Sequence, residues 1–100
     1  AFDMLQEAYA ANQDSYYILD SLAWAYYKKK QLIKAAELME EVIEMAPGEA
    51  ISLDHLADIY FAMKRKREAI FFWRQALDLA QPEDMISEDL IIKLEKYDAG

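Results

Sequence analysis

Cysteine is absent from the chain of 100 residues, and only two glycines and two prolines occur in it. Without cysteine there is no disulfide framework, no thiol nucleophile and no cysteine-based metal site, and the redox compartment stays open. So little glycine and proline cannot punctuate many short strands, and the composition argues against disorder. No apolar run approaches the roughly 18 residues of a membrane-spanning helix. The chain begins at Ala1 with neither a methionine nor a signal peptide, as a fragment or a processed product would.

Positive charge is also scarce. The 11 basic residues face 19 acidic ones, which gives a formal net charge of −8. This is the wrong sign for a protein that neutralises phosphates over a wide face, so we expect no nucleic-acid partner. Apolar residues make up 55% of the chain. The composition therefore predicts a soluble, acidic, helix-rich domain, or one piece of a larger protein.

A repeat is what the sequence does contain. When the chain is shifted by 34 positions, Leu19 falls on Leu53 and Leu22 on Leu56. Six further pairs obey the same shift: Asp20 and Asp54, Ala23 and Ala57, Tyr26 and Tyr60, Lys30 and Lys64, Ala35 and Ala69, and Ala46 and Ala80. Fixed periodicity of this kind is typical of a stacked fold of identical units.

Each unit is predicted to contain two helices. The first carries apolar residues at i, i+3, i+4 and i+7, and a basic run at Lys28–Lys30 or Lys64–Arg67 ends it. The second helix of the first unit stops at Pro47-Gly48, and that of the second unit near Gln81-Pro82. Asp14 or Ser15 can cap the first of these helices, and Ser87 can cap a last helix. With a lone helix near the N-terminus, the pattern predicts six antiparallel helices.

The spacing also resembles a known family. The signature positions of the tetratricopeptide repeat (TPR) hold large, small and aromatic residues in a fixed order, ending in proline. The first unit fills them with Leu19, Leu22, Ala23, Tyr26, Ala35, Met39, Val42 and Pro47. The second unit fills them with Leu53, Leu56, Ala57, Tyr60, Ala69, Trp73 and Ala76, with Pro82 one place late. The stretches DSLAWAYY and HLADIY are similar to repeats near the end of longer bacterial TPR proteins.

The resemblance implies an all-α superhelix, a TPR solenoid of antiparallel helix pairs. Its parts would be a truncated second helix at 1–14, repeat units at 15–49 and 50–83, and a capping helix at 84–100. The family commonly has glycine at the turn between paired helices, where this chain has Lys30 and Lys64. Either each lysine adopts the left-handed conformation at a cost of about 1 kcal/mol, or the turn is reshaped.

The resemblance further implies protein recognition in a concave groove lined by the first helices. The matching positions are Tyr17, Asp20, Trp24, Tyr27, Ile51, Asp54, Asp58 and Phe61. The family's clamp for a C-terminal carboxylate uses lysine and asparagine on this face, and the matching positions here hold neither. An aromatic floor with three carboxylates instead favours a basic or amphipathic partner. The alternative is that Trp24 and Tyr27 pack on the preceding helix while the aspartates are solvated.

The basic runs, Phe71 and His55 give weaker predictions of function. The two basic runs can contact an acidic partner, a lipid or a nucleic acid, or they are solvated turns. Phe71 is expected on the outer face of its helix. His55 is the only histidine, so no pair of imidazoles can bind a metal, and no serine has an evident base beside it. His55 with Asp54 and Asp58 leaves a weak cation site conceivable. We predict no catalysis, metal or cofactor.

The two ends carry apolar residues that lack a predicted partner helix, among them Phe2, Leu5, Ile91 and Leu94. Either the piece belongs to a longer solenoid, or copies associate through these faces. Two functions therefore remain open: an adaptor that holds a partner's peptide or helix in its groove, and a structural or oligomerisation segment with no peptide ligand of its own.

Overall fold

A computed structural model of the chain describes residues 16–98. Within this part all regular structure is helical, and it divides into two units, the first ending at Pro47 and the second beginning at Gly48. The predicted helix at residues 1–14 and the predicted caps Asp14 and Ser15 lie outside the described residues.

The first unit contains one helix pair, α1 (Tyr16–Lys28) and α2 (Leu32–Met45). The short connection between them turns the chain back on itself, so the two helices pack side by side in opposite directions. Three buried residues of α1 meet five buried residues of α2: Leu19, Leu22, Ala23, Ala35, Ala36, Leu38, Met39 and Val42. Ala23 and Ala35, the predicted small positions, are both completely buried. Their methyl groups let the two backbones approach closely.

The second unit contains a matching pair and one more helix. These are α3 (Ala50–Ala62), α4 (Lys66–Leu79), a 3₁₀ turn (Pro82–Asp84) and α5 (Ser87–Tyr97). Helix α4 packs against both α3 and α5. Ala57 and Ala69 are completely buried between α3 and α4, as Ala23 and Ala35 are in the first unit. The repeat of 34 residues is therefore a repeat of packing as well as of sequence.

The helix ends confirm most of the predicted boundaries. Helix α2 stops at Met45, just before the predicted stop at Pro47-Gly48. The Ala46 amide closes the helix by donating to the Val42 carbonyl at 2.9 Å. Helix α4 stops at Leu79, and Gln81 is extended (φ −99°, ψ 157°), as the residue before a proline must usually be.

The predicted cap of the last helix is wrong. Ser87 is already the first residue of α5, and Ile86 precedes the helix without a side-chain cap. The Ile86 carbonyl accepts the first intrahelical hydrogen bond, from the Leu90 amide at 2.9 Å. Because the backbone of Ile86 is already close to helical (φ −115°, ψ −7°), Ser87 lies one position too late to cap the helix.

Both inter-helix turns keep the left-handed conformation, with lysine in the place of glycine. Lys30 has φ 66° and Lys64 has φ 68°. The Gln31 amide donates to the Tyr26 carbonyl at 3.0 Å, and the Arg65 amide to the Tyr60 carbonyl at 2.9 Å. The Lys30 amide also donates to the Tyr27 carbonyl at 2.9 Å, and the Lys64 amide to the Phe61 carbonyl at 3.0 Å. Each pair of bonds forms a Schellman motif, which satisfies the last carbonyls of α1 and α3. Of the two possibilities left open by the sequence, the structure shows the strained turn.

Candidate functional site

The four candidate residues of α1 form an aromatic surface with one carboxylate. Tyr17 is 68% exposed, and its ring stacks on that of Tyr16 with 4.2 Å between the ring centroids. Trp24 and Tyr27 are half-buried and stack on each other at 4.5 Å, because residues three apart lie on the same helix face. Asp20 is half-buried on the same helix. Flat rings beside a carboxylate can hold an apolar group and a cation together.

The four candidate residues of α3 lie in a different environment. Ile51 is exposed, but Asp54 is only 9% exposed, and both Asp58 and Phe61 are half-buried. The structure places these last three residues against side chains of α4 and α5. At these positions the chain therefore supplies its own partner, which is the C-terminal helix.

A single ammonium group joins the two aspartates of α3. The Lys93 Nζ of α5 donates to Asp54 Oδ1 at 2.9 Å and to Asp58 Oδ1 at 3.0 Å. Asp54 and Asp58 are four residues apart, so their carboxylates lie on one helix face and both reach the same cation. The Trp73 indole N–H donates to Asp58 Oδ1 at 3.1 Å. We call these four residues, Asp54, Asp58, Trp73 and Lys93, the lysine cluster.

The lysine cluster changes the ionisation of two of its members. Burial raises the pKa of Asp58, the negative charge of Asp54 raises it further, and Lys93 and the indole only partly offset this rise. Burial works in the opposite sense on Lys93, where it disfavours the charged form. Hydrogen bonds and charge from Asp54 and Asp58 more than compensate, so the pKa of Lys93 is raised. The charged form of Asp58 is thus disfavoured, whereas the charged form of Lys93 is favoured by its two acidic partners.

Two further aromatic rings, Phe61 and Tyr97, lie beside Trp73 of the lysine cluster. The Tyr97 ring of α5 contacts Phe61 at 4.4 Å and Trp73 at 5.8 Å between centroids, and Phe61 and Trp73 are 5.5 Å apart. The Lys93 ammonium also lies 5.6 Å from the centroid of the Trp73 ring, a cation–π contact. Because Trp73 is only 2% exposed, α5 and its neighbours cover almost the entire indole.

Among the remaining candidates, the basic runs are exposed and span the turns between paired helices together with the adjoining helix ends. Lys28–Lys30 and Lys64–Arg67 all have exposed side chains. Arg65 pairs with Glu68 and lies over the Tyr60 ring at 4.3 Å, so part of this charge is engaged within the chain. Phe71 is 56% exposed, which confirms its predicted outward position.

A cation site at His55 finds no support from the structure. Asp54 and Asp58 direct their oxygens at Lys93, and His55 is half-buried. Residues 16–98 contain no group of three or more histidines and carboxylates that could hold a metal ion. Nor is any helix within this range long and apolar enough to cross a membrane.

Lys93 is the residue of this site that the sequence patterns above do not identify. It belongs to no repeat position, and its acidic partners lie on another helix. A usable signal exists, because Lys93 follows the buried Leu90 by three residues and so belongs to the same helix face. A lysine on an inward-facing position calls for an acidic partner.

Comparison with known families agrees with the helix pairs. Two family models, both described as tetratricopeptide repeat, match residues 17–46 and 50–82. The first match spans most of α1 and α2, and the second spans α3 and α4 up to Pro82. A search of characterised proteins finds no matching relative. The two matches cover more than half of the chain, with the predicted packing in each unit, so the chain belongs to the tetratricopeptide repeat family.

Proposed function

We propose that this chain is an adaptor whose helix α1 holds a basic or amphipathic segment of a partner protein. Tetratricopeptide repeats are in general protein–protein interaction modules and non-catalytic scaffolds, so a protein partner follows from the family. The finer assignment to α1 is supported by one observation above all. Tyr17, a large aromatic side chain, is mostly exposed on the same helix as the stacked Trp24 and Tyr27.

The charge of the surface supports a basic rather than an acidic partner. Asp20 is the acidic residue of the α1 candidates, and the whole chain carries a net charge of −8. An acidic surface attracts cationic segments and raises their rate of encounter. A lysine or arginine of the partner beside Asp20 can also stack on the neighbouring rings, which favours arginine most.

A clamp for a C-terminal carboxylate is not supported at these positions. Such a clamp needs cationic and amide side chains, and the α1 candidates contain only aromatic rings and one carboxylate. On α3 the nearby cation, Lys93, is already shared by Asp54 and Asp58. Its charge is neutralised inside the chain, and a carboxylate ligand would have to compete with two aspartates for it.

The second candidate function is a structural or oligomerisation segment without a peptide ligand. One observation favours it: α5 engages Asp54, Asp58 and Phe61, so three of the eight candidate residues serve packing within the chain. The two functions make different predictions for α1. Only the adaptor needs Tyr17 and Asp20 for binding.

The test is a binding measurement with a matched control. A fluorescently labelled, basic amphipathic peptide is titrated with the protein, and its anisotropy is followed at two salt concentrations. The double variant Tyr17→Ala, Asp20→Lys should weaken binding by about tenfold or more. The control is Phe71→Ala, Asp78→Lys on α4, which removes another mostly exposed ring and makes the same change in net charge.

The control separates a specific surface from general attraction to an acidic protein. The adaptor is supported if only the α1 variant loses affinity and a charge-reversed peptide does not bind. If both variants lose affinity equally, the peptide senses net charge alone and the α1 assignment is refuted. If no peptide of either charge binds the native protein, the structural role takes its place.

A further inference from the structure

Helix α5 is attached to its unit by few side chains. Leu90 is the one residue of α5 that is completely buried, whereas α3 contributes eight buried residues. Two directional attachments were described above, the Lys93 ammonium on two aspartates and the Tyr97 ring on Phe61 and Trp73. A third is the ion pair of Asp98, just after α5, with Arg74 of α4. A helix held in this way can leave its site at far lower cost than α3 or α4 can.

The segment that leads into α5 is strained. Met85 adopts the left-handed conformation with φ 56°, which is unfavourable for any residue with a Cβ. Its side chain is 87% exposed, so packing does not hold it there. Met85 ends the 3₁₀ turn at Pro82–Asp84, where its amide donates to the Pro82 carbonyl at 3.3 Å, and its left-handed backbone turns the chain toward α5. Strained hinges of this length favour the exchange of the segment that follows them.

The surface under α5 has a defined chemistry. It presents two carboxylates, Asp54 and Asp58, and beside them the rings of Phe61 and Trp73. Its occupant must offer a cation and, one helical turn later, an aromatic ring on the same face. Lys93 and Tyr97 are four residues apart and meet this requirement. The helix that the structure shows to fit this surface is α5, and every copy of the chain carries it.

We propose that two copies of this chain exchange their α5 helices. In the exchanged dimer, Lys93 and Tyr97 of each copy contact the lysine-cluster aspartates and the rings of the other copy. The closed monomer and the exchanged dimer contain the same helix contacts, so they differ mainly in the hinge and in the entropy of association. Extending the hinge relieves the left-handed Met85, and high protein concentration offsets the association entropy. The proposal does not depend on binding at α1.

Cross-linking provides the test, because the native chain has no cysteine. The double variant Arg74→Cys, Asp98→Cys places one thiol on each side of the α4–α5 contact, and a short bismaleimide joins them. Exchange predicts a covalent dimer whose share rises with protein concentration, and a covalent monomer at high dilution. The two single variants, treated separately, measure joining by random collision.

A change in the hinge gives a second readout. Met85→Gly removes the penalty of the left-handed conformation from the closed monomer, whereas Met85→Ala retains it. Glycine should stabilise each closed monomer relative to the open chain by a factor of about five. Because two closed monomers form one dimer, sedimentation should show that Met85→Gly lowers the dimer association constant by about 25-fold. The Met85→Ala variant should dimerise as the native chain does.

Three results would overturn the proposal. The first is a covalent monomer alone at every concentration. The second is a dimer in which the cross-link still lies within each chain, since that dimer would be joined by another surface. The third is an association constant that Met85→Gly leaves unchanged. Circular dichroism of each variant verifies that the helices are intact, so that a lost dimer is not read from an unfolded chain.

Discussion

The left-handed lysines allow a sharp test of the turn between paired helices. At Lys64, φ is 68°, and a Cβ in this conformation lies too close to the following carbonyl oxygen. Replacing Lys64 by glycine removes that clash, which costs about 1–2 kcal/mol. Glycine also gives the unfolded chain more freedom, which costs about 0.4–1 kcal/mol of the gain. We therefore expect Lys64→Gly to be more stable than Lys64→Ala by about 1 kcal/mol.

Alanine is the appropriate reference because it removes the same charge as glycine. The lysine ammonium lies near the C-terminus of α3, where a cation interacts favourably with the helix dipole, and both variants lose this interaction. Lys66, in the first turn of α4, provides the matched control. There the backbone is helical, so Lys66→Gly should be less stable than Lys66→Ala by about 0.5–1 kcal/mol.

Urea unfolding followed by far-UV circular dichroism measures both differences. In thermal unfolding, 1 kcal/mol corresponds to about 4–8 °C for a domain of this size. The sign of the glycine-minus-alanine difference must change between the two positions. If glycine and alanine at position 64 are equally stable, the left-handed backbone carries no strain, and the reasoning applied to Met85 would fail with it.

Three other substitutions test the packing and the lysine cluster, each by urea unfolding. Ala57→Leu should destabilise by about 1–3 kcal/mol because it overpacks the α3–α4 contact, while Ala62→Leu at an exposed site of α3 should stay within about 0.5 kcal/mol. The pKa of Asp58 is raised in the folded state, so its contribution to stability is complete at low pH and is lost as pH rises through that pKa. The native protein should therefore lose stability relative to Asp58→Asn between about pH 3 and pH 7. The opposite trend would contradict the raised pKa. Trp73→Phe removes the indole donor and should lower the free energy of unfolding by about 1–3 kcal/mol. A double-mutant cycle with Asp58→Asn should give a coupling energy between the two side chains that accounts for part of this loss. A coupling energy of zero would mean that the hydrogen bond is not formed.

Local patterns predicted most of this fold. Residues at i, i+3, i+4 and i+7 identified the buried faces of α1 and α3, and the paired alanines marked the closest approach of the helices. The proline positions located the ends of α2 and α4. These features depend on neighbours a few residues away, and such neighbours can be read directly from the sequence.

The partner of the two aspartates could not be predicted in the same way. Lys93 is 39 residues from Asp54 and 35 from Asp58, and its position depends on how α5 lies on α4. That placement follows from Leu90 and from the conformation of Met85, which no repeat pattern encodes. The eight predicted groove residues therefore stay a prediction, and for Asp54, Asp58 and Phe61 the structure adds a competing occupant.

The position of Trp73 makes it an intrinsic fluorescence probe of whether α5 is docked. Its indole is shielded from water by Lys93 and Tyr97, and it would be wetted as soon as α5 departed. Tryptophan emission shifts to longer wavelength when the ring enters water, so a Trp24→Phe variant, with Trp73 as its single tryptophan, would report undocking in real time. The release and return of one helix could then be timed in stopped-flow mixing, without any attached dye.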